Sequence, residues 1–352
     1  MYCVIMAGGR GTRFWPASRK NNPKQLLNIV GKTTMLQMTV DRFQKMKNVE
    51  DIFIITSEDL ASKIKRKISG IKAKNIIIEP SGKNTAPAIG LAALRIKSIR
   101  EDAVMGVFPA DHLVIGAQKF AKTVRSAIQI SNKSDGLVTI GIEPKFASTG
   151  YGYIQFDPKS PLDYLAGFKV KTFAEKPHKK LAERFVSSGD FLWNGGMFIW
   201  KVSSFFSELK THMPEFDRQL EKIEKRINSN QDFNRLWKKI QAESIDYGLM
   251  EKSDKIYVVK SEFDWNDLGS WDAVFDVSPK TKDKNVVRGK GLVIDGKNNL
   301  IDSNNHFTAV VGVDNIVVVN TPDATLVIPR DKVENNKELV TYLEKNKKTE
   351  LL

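Results

Sequence analysis

Glycines at positions 8, 9 and 11 and arginines at 10 and 13 follow directly on the apolar run Tyr2-Cys3-Val4-Ile5-Met6. A short apolar run that ends in glycines predicts a buried strand emptying into a tight turn. Without a Cβ in the way, glycine lets backbone N–H groups come close to a phosphate. The arginines, and Lys24 within Pro23-Lys24-Gln25, supply the opposite charge. These residue types in this order are chemistry for a nucleotide. A Walker loop would need Gly-Lys-Ser/Thr after four spacer residues, which the chain lacks. A dinucleotide fingerprint would need a third glycine where Phe14 stands.

The elements around this loop read as an alternation. Apolar runs at Ile52–Ile55, Ile76–Ile78, Val104–Phe108 and Leu137–Ile142 predict strands, and Met35–Met46, Leu60–Ile68, Ala86–Ile99 and Phe120–Ile130 predict helices between them. Such alternation implies an α/β fold, a Rossmann-like, mostly parallel mixed sheet flanked by helices. Ligands of these sheets bind beyond the carboxyl ends of the strands, where the glycine-rich loop and Pro109-Ala110-Asp111-His112 should both lie. Further on, Gly150–Ile154, Val170–Glu175, Met197–Trp200 and Ile256–Val259 predict strands. Leu181–Val186 predicts a helix, and Phe205–Ile240 a helical stretch broken at Pro214. After Asp283 the chain turns to short strands, Val286-Val287, Gly291–Ile294, Leu300-Ile301, Ala309–Val313, Ile316–Val319 and Ala324–Ile328, with turns at Asp295-Gly296 and Asn304-Asn305. Even spacing of this kind predicts a small β-solenoid, closed by a helix near Leu339–Leu343. The expected division is therefore 1-282 for the α/β domain and 283-352 for a small β-rich domain.

A chain of 352 residues with 41% apolar and 27% charged residues has ample material for a core. No apolar stretch is long enough for a bilayer span, and no basic flank or cleavage site suggests a leader, so a cytoplasmic protein without membrane partners is expected. The single cysteine, Cys3, rules out an internal disulfide and is expected to be a small core residue. A net charge of +14 suits polyanionic substrates. It does not by itself argue for nucleic acid, since the lysines are spread over predicted helix faces and no nucleic-acid-binding motif stands out.

The loop with its arginine and Pro-Lys-Gln resembles the signature of the sugar-nucleotide pyrophosphorylases. Six further blocks in order make the chain similar to the mannose-1-phosphate guanylyltransferase branch. They are Glu79–Ala88, Phe108–His112, Gly150–Ile154, Glu175-Lys176-Pro177, Trp193–Phe198 and Trp265–Trp271. One departure is Lys83, where the pattern leads us to expect arginine before Asn84-Thr85; charge survives there but bidentate phosphate binding does not. Larger relatives carry a fused isomerase domain, for which this chain is expected to leave no room. The resemblance implies an α/β nucleotide-diphospho-sugar transferase fold with a left-handed β-helix-like carboxyl-terminal domain. It implies conversion of mannose 1-phosphate and GTP to GDP-mannose and pyrophosphate with Mg2+ or another divalent cation, and a possible homodimer.

The sugar phosphate oxygen needs no general base when ionised, so positioning and charge neutralisation must carry catalysis. The resemblance implies Arg13, Lys24 and Asp111 as catalytic groups, Arg13 on the leaving pyrophosphate and Lys24 on the α-phosphate or the sugar phosphate. Ala7, Gly8, Gly9, Gly11 and Thr12 would line the nucleotide with Arg13, Asn84, Thr85, Ala86 and Asp111. Asp111 and Asp267 would hold the metal, though each could instead be a helix cap or a turn aspartate. Glu79 could accept from guanine N1–H and its 2-amino group, or merely cap the next turn. Lys176, Glu175, Asn194 and Gly150 would take the sugar phosphate together with Asp267; Asn194-Gly195 could equally be a tight turn. His112 and Trp271 are expected to be structural, and Trp265 could line a sugar pocket. Three other readings compete. One is a sister pyrophosphorylase using another sugar 1-phosphate, such as a heptose, or another NTP. A second is a catalytically silent regulatory subunit, and a third is a nucleic-acid binder resting on charge alone.

Overall fold

Tyr2–Met6 forms the strand expected ahead of the glycines (β1), buried through its first four residues. The computed structural model describes residues 1–9, 11–162 and 167–352, Ser160 in its backbone only; Arg10 of the glycine-rich stretch lies outside them. The alternation then runs as α1 (Met35–Gln44), β2 (Asp51–Ser57), α2 (Glu58–Lys67), β3 (Ile76–Glu79), α3 (Thr85–Lys97), β4 (Val104–Pro109), β5 (Leu113–Ile115), α4 (Ala117–Ser134) and β6 (Leu137–Ile142). The middle holds β7 (Tyr153–Pro161), β8 (Gly167–Ala174), α5 (Lys179–Ser188), β9 (Phe191–Lys201), α6 (Val202–His212), α7 (Pro214–Asn228), α8 (Asn234–Lys239), β10 (Ile256–Lys260), β11 (Asp264–Asn266) and α9 (Trp271–Val277). The end holds β12 (Val286–Ile294), β13 (Leu300–Val311), β14 (Ile316–Asn320), β15 (Thr325–Pro329) and α10 (Asn336–Lys345). Pro214 opens α7, where its missing N–H costs no helical bond.

The chain divides into two compact units that do not follow its order. The first contains Met1–Gly8, Val40–Ala110 and Val114–Trp265. Its sheet runs β3-β2-β1-β4-β9-β6-β10-β8-β7. Strands β3, β2, β1 and β4 pair in parallel, as do β6 and β10. Strand β9 enters antiparallel between β4 and β6, and β8 and β7 continue antiparallel. Being antiparallel to β9 on both sides, β4 and β6 point the same way, so the carboxyl ends of β1, β3, β4, β6 and β10 share one edge. One core gathers Trp200, Phe205 and Trp237, all fully buried, with Ile89, Ala92, Ala93 and Ile96 of α3. In another, Phe43 packs on Phe108 and Phe120, ring centroids 4.4 and 5.7 Å away, and Phe263 packs on Phe120 at 5.1 Å. Cys3 is a buried core residue, its thiol pushed up by that burial.

The second unit contains Gly9–Thr39, Asp111–Leu113 and Asn266–Leu352. Its carboxyl-terminal part is the expected coil of strands: β12, β13 and β14 pair in parallel, and β15 closes antiparallel on β14. Val286, Leu300 and Val317 stack in register, all nearly or fully buried. Asparagines turn the corners. Asn285 accepts from the Asn299 backbone at 2.9 Å, and Asn299 in turn accepts from Ile316 at 3.0 Å. Two expectations need correction here. The runs read as four short strands are two long ones, β12 and β13. The turn at Asn304-Asn305 is instead an excursion within β13, where the register jumps from Gly289↔Ser303 to Gly291↔Thr308. The extra residues bulge out, and pairing resumes beyond them.

Candidate active site

The signature loop is held by hydrogen bonds to its own carbonyls. Within the second unit, Gln25 Nε2 donates to the Gly9 carbonyl at 3.1 Å and Ser18 Oγ to that of Gly11 at 2.7 Å. The Asn336 amide donates to the carbonyls of Arg13 and Trp15, and Trp271 Nε1 also reaches Trp15. Trp271 is buried against Phe14, as expected of a core residue. Gly11 is obligatory twice over. Its φ is +63°, and an added Cβ would fall 2.4 Å from Lys24 Cβ. A Cβ on Gly9 would meet nothing within 4 Å, leaving that backbone open to a ligand.

Lys24 is the centre of the cluster in this unit. It is only 6% exposed, and its ammonium lies 2.9 Å from Asp111 Oδ2 and 2.7 Å from the Asp267 backbone carbonyl. Burial pushes the Asp111 carboxyl up, but Lys24 and then His112 more than offset this and hold it below the usual range. Asp111 is therefore an ion-paired carboxylate following β4, not a helix cap. Asp267 does accept from the Gly269 N–H at 3.2 Å, so it serves its own turn as well as the site. A cavity of about 330 Å³ is lined by Gly11, Thr12, Arg13, Lys24, Asp111 and Asp267, together with His112 and Lys337. The chain thus brings Arg13, Lys24, Asp111 and Asp267 to one place, as expected.

In the first unit, Glu79 ends β3 and is 6% exposed. Its Oε2 is buried with no hydrogen-bond partner among the described residues, and burial raises its pKa to about 7. No described backbone N–H donates to that oxygen, so it does not cap the following turn. A Cβ on Gly8 would sit 3.0 Å from Glu79 Oε1, which explains that glycine. Ala7 precedes it and uses its carbonyl on Thr56 Oγ1. Asn84 is the cap of α3, accepting from the Thr85 N–H at 2.8 Å. The Thr85 hydroxyl accepts from Ile245, and the Ala86 N–H donates to Glu243. The backbone N–H groups of Thr85 and Ala86 are thus both used within the fold. Lys83 donates to the Lys238 carbonyl at 3.2 Å.

Of the proposed sugar residues, Glu175, Lys176 and Asn194 meet in the same unit; Asp267 belongs to the second unit, and Gly150 does not join them. Asn194 lies within β9, so Asn194-Gly195 is a strand and not a turn. Its Oδ1 accepts from Thr139 and Gly196, and its Nδ2 donates to Asp246 at 2.8 Å. Lys176 pairs with Glu175 at 2.7 Å. Burial alone would lower the Lys176 pKa; Glu175 holds it above its ordinary value, aided by Tyr247 and Asp246. Lys176 also adopts φ +48°, a conformation uncommon for a side chain-bearing residue. Gly150 is exposed, and its Cβ would meet only Ser148 Oγ at 3.7 Å. The close glycine is Gly152, whose Cβ would strike Glu175 Oε2 at 2.3 Å. Sequence reasoning missed Asp246. Burial, then the Glu175 carboxylate, raise its pKa to about 6 against the Asn194 amide and Lys176. Trp265 stacks edge-on with Tyr151, which also meets Trp193.

Comparison with known proteins gives the family of the chain. A nucleotidyl transferase family model matches residues 2–284, and a mannose-phosphate isomerase/GMP-like β-helix domain model matches 289–343. The chain is 37% identical over 353 residues to a mannose-1-phosphate guanylyltransferase of Klebsiella pneumoniae, covering 99% of this chain and 74% of that protein. It is 38% identical over 355 residues to one of Salmonella muenchen, again covering 99% and 74%. A Thermus thermophilus crystal structure, described as a mannose-1-phosphate geranyltransferase, matches with a TM-score of 0.86 at 28% identity. The match covers 97% of this chain and 99% of that one. The chain belongs to the nucleotidyl transferase family, in its mannose-1-phosphate guanylyltransferase branch.

Proposed function

We propose that this protein transfers the guanylyl group of GTP to mannose 1-phosphate, forming GDP-mannose and pyrophosphate. Family membership supports the reaction, and the buried Lys24 ammonium between Asp111 and Asp267 is the observation that carries its chemistry. An oxygen of the sugar phosphate attacks the α-phosphorus in line, and the bond from that phosphorus to the β-bridging oxygen breaks. Arg13 neutralises charge gathering on the leaving pyrophosphate, beside the glycine-rich backbone. Lys24, with little freedom to move, meets charge at the α-phosphate without reorganisation. Lys176 takes the sugar phosphate, while Glu175 and Asn194 orient sugar hydroxyls. Glu79 reads guanine. Residues 1-282 form the nucleotidyltransferase domain and 283-352 the β-rich one.

Nucleotidyl transferases of this family typically use a divalent metal. Among the described residues no group of three or more His, Cys, Asp or Glu forms a cage for an ion. Asp111 and Asp267 instead line one cavity. Two carboxylates completed by phosphate oxygens and water are the donor set that magnesium favours, so these residues fit Mg2+ in company with substrate. When bound, the ion supplies Lewis-acid charge neutralisation at the reacting phosphates. No described helix is long and apolar enough to cross a membrane. Family membership supports a cytoplasmic enzyme, and light scattering tests whether it forms a homodimer.

The test is a matrix of nucleoside triphosphates against sugar 1-phosphates, with pyrophosphate release as readout. GTP with mannose 1-phosphate should be fastest. Clear preference for another sugar, with little mannose turnover, would refute the substrate and leave the reaction class standing. Within the reaction, Lys176→Ala should raise KM for mannose 1-phosphate roughly tenfold with a small change in kcat, because it removes a charge-assisted contact made before and during transfer. An unchanged KM for the sugar with weakened GTP use would place Lys176 on the other substrate.

A further inference from the structure

The cavity around Lys24 has a wall that no signature motif accounts for. Lys337, in the first turn of α10, lines it beside Arg13 although 324 positions separate the two in the chain. The placement is fixed rather than incidental. Its neighbour Asn336 is 1% exposed and donates 2.9 Å and 2.8 Å bonds to the Arg13 and Trp15 carbonyls, so the helix start and the signature loop are held together. Glu334, just before the helix, lies 3.5 Å from Arg13 Nε and 3.9 Å from Lys337 Nζ.

Charge counting gives this arrangement its meaning. Arg13, Lys24 and Lys337 line the cavity with Asp111 and Asp267, and Glu334 pairs with Arg13 and Lys337 beside it, so before any metal binds each cation is matched by a carboxylate. A divalent cation on Asp111 and Asp267 would restore positive charge there, whereas Arg13 and Lys337 become fully available to phosphate only when Glu334 yields. Asp111 is anchored by buried Lys24, whereas the Glu334 side chain is 60% exposed and free of a comparable anchor in its pairing with two exposed cations. We propose that Lys337 is a further phosphate-contacting cation for the pyrophosphate part of the nucleotide. Glu334 pairs with Lys337 and Arg13 until that phosphate displaces it. The inference rests on the phosphate reading of this cavity and not on which sugar is used.

Calorimetric titration of the full chain with inorganic pyrophosphate, at pH 7.5 and low salt, tests it directly. Lys337→Ala should weaken pyrophosphate binding roughly tenfold, and Lys337→Arg should stay within about twofold of wild type. Glu334→Gln should tighten binding about threefold, as expected for release of exposed ion pairs, and this gain should shrink when combined with Lys337→Ala. Mannose 1-phosphate affinity should stay unchanged in Lys337→Ala, which separates lost contact from lost fold. Unchanged pyrophosphate affinity in Lys337→Ala, equal weakening of both ligands, or no pyrophosphate binding by wild type would each overturn the proposal. If the pyrophosphate responses appear while mannose 1-phosphate is not a substrate, the sugar assignment falls and Lys337 keeps its role.

Discussion

Lys24→Gln should lower kcat by about three orders of magnitude, the scale reached when a preorganised charge aimed at the reacting centre is removed. Glutamine keeps much of the length and a polar end but carries no charge. Two effects coincide in this variant. The ammonium facing the α-phosphate is gone, and Asp111 loses the cation that offsets its burial. The first is catalytic and the second is a stability cost of about 2 kcal/mol, since an ion pair is broken from one side only and Asp111 keeps some solvent. Pairing the change with Asp111→Asn separates them. The double variant should regain most of the lost thermal stability and none of the activity. A Lys24→Gln enzyme within tenfold of wild-type kcat would remove Lys24 from the catalytic groups.

Glu79→Gln should abolish the preference for GTP over ITP while making the unliganded protein more stable at pH 8. Glu79 has a raised pKa of about 7 because burial disfavours its charged form. The sign follows from linkage. With a folded pKa above the unfolded one, its favourable contribution is complete below the unfolded value, near 4.5, and is lost as pH rises through about 7. At pH 8 the buried charge costs about 2 kcal/mol after allowance for solvent screening. Glutamine removes that cost. The ionised carboxylate is what accepts from N1–H and the 2-amino group, so guanine binding should weaken as pH falls below 7. ITP lacks the 2-amino group, and the wild type should therefore disfavour it, by about a hundredfold. The measurements are kcat/KM ratios for GTP and ITP and melting curves at pH 5 and pH 8. Retained discrimination would give guanine recognition to other residues. A variant no more stable at pH 8 would mean that Glu79 carries no burial cost.

The glycine-rich loop and its cations were legible because they are close together in the sequence, and the parallel strands because burial makes them apolar runs. Gly11 was read as room for a phosphate, and the structure adds a left-handed conformation and the close approach of Lys24 that the motif did not disclose. Other features depend on pairings that only the fold creates. Asp246 lies among Ile245, Leu249 and Met250 with no motif around it; its contact with Asn194 reveals it. Asn336 and Lys337 act on a loop at the opposite end of the chain. Gly152 and Gly150 are equivalent as letters, yet only Gly152 packs on Glu175. In the solenoid, the excursion within β13 looked like a turn because local composition does not record where pairing resumes, while the corner asparagines at 285 and 299 carry a spacing that can be read once the coil is known.

One labelled reaction tests the central claim most directly. Mannose 1-phosphate carrying 18O in its non-bridging phosphate oxygens is incubated with GTP, magnesium and enzyme, and both products are weighed by mass spectrometry. Attack by the sugar phosphate on the α-phosphorus predicts GDP-mannose that retains all the label and pyrophosphate that carries none. Label in the pyrophosphate, or pyrophosphate released with GMP and no GDP-mannose, would contradict guanylyl transfer to the sugar phosphate.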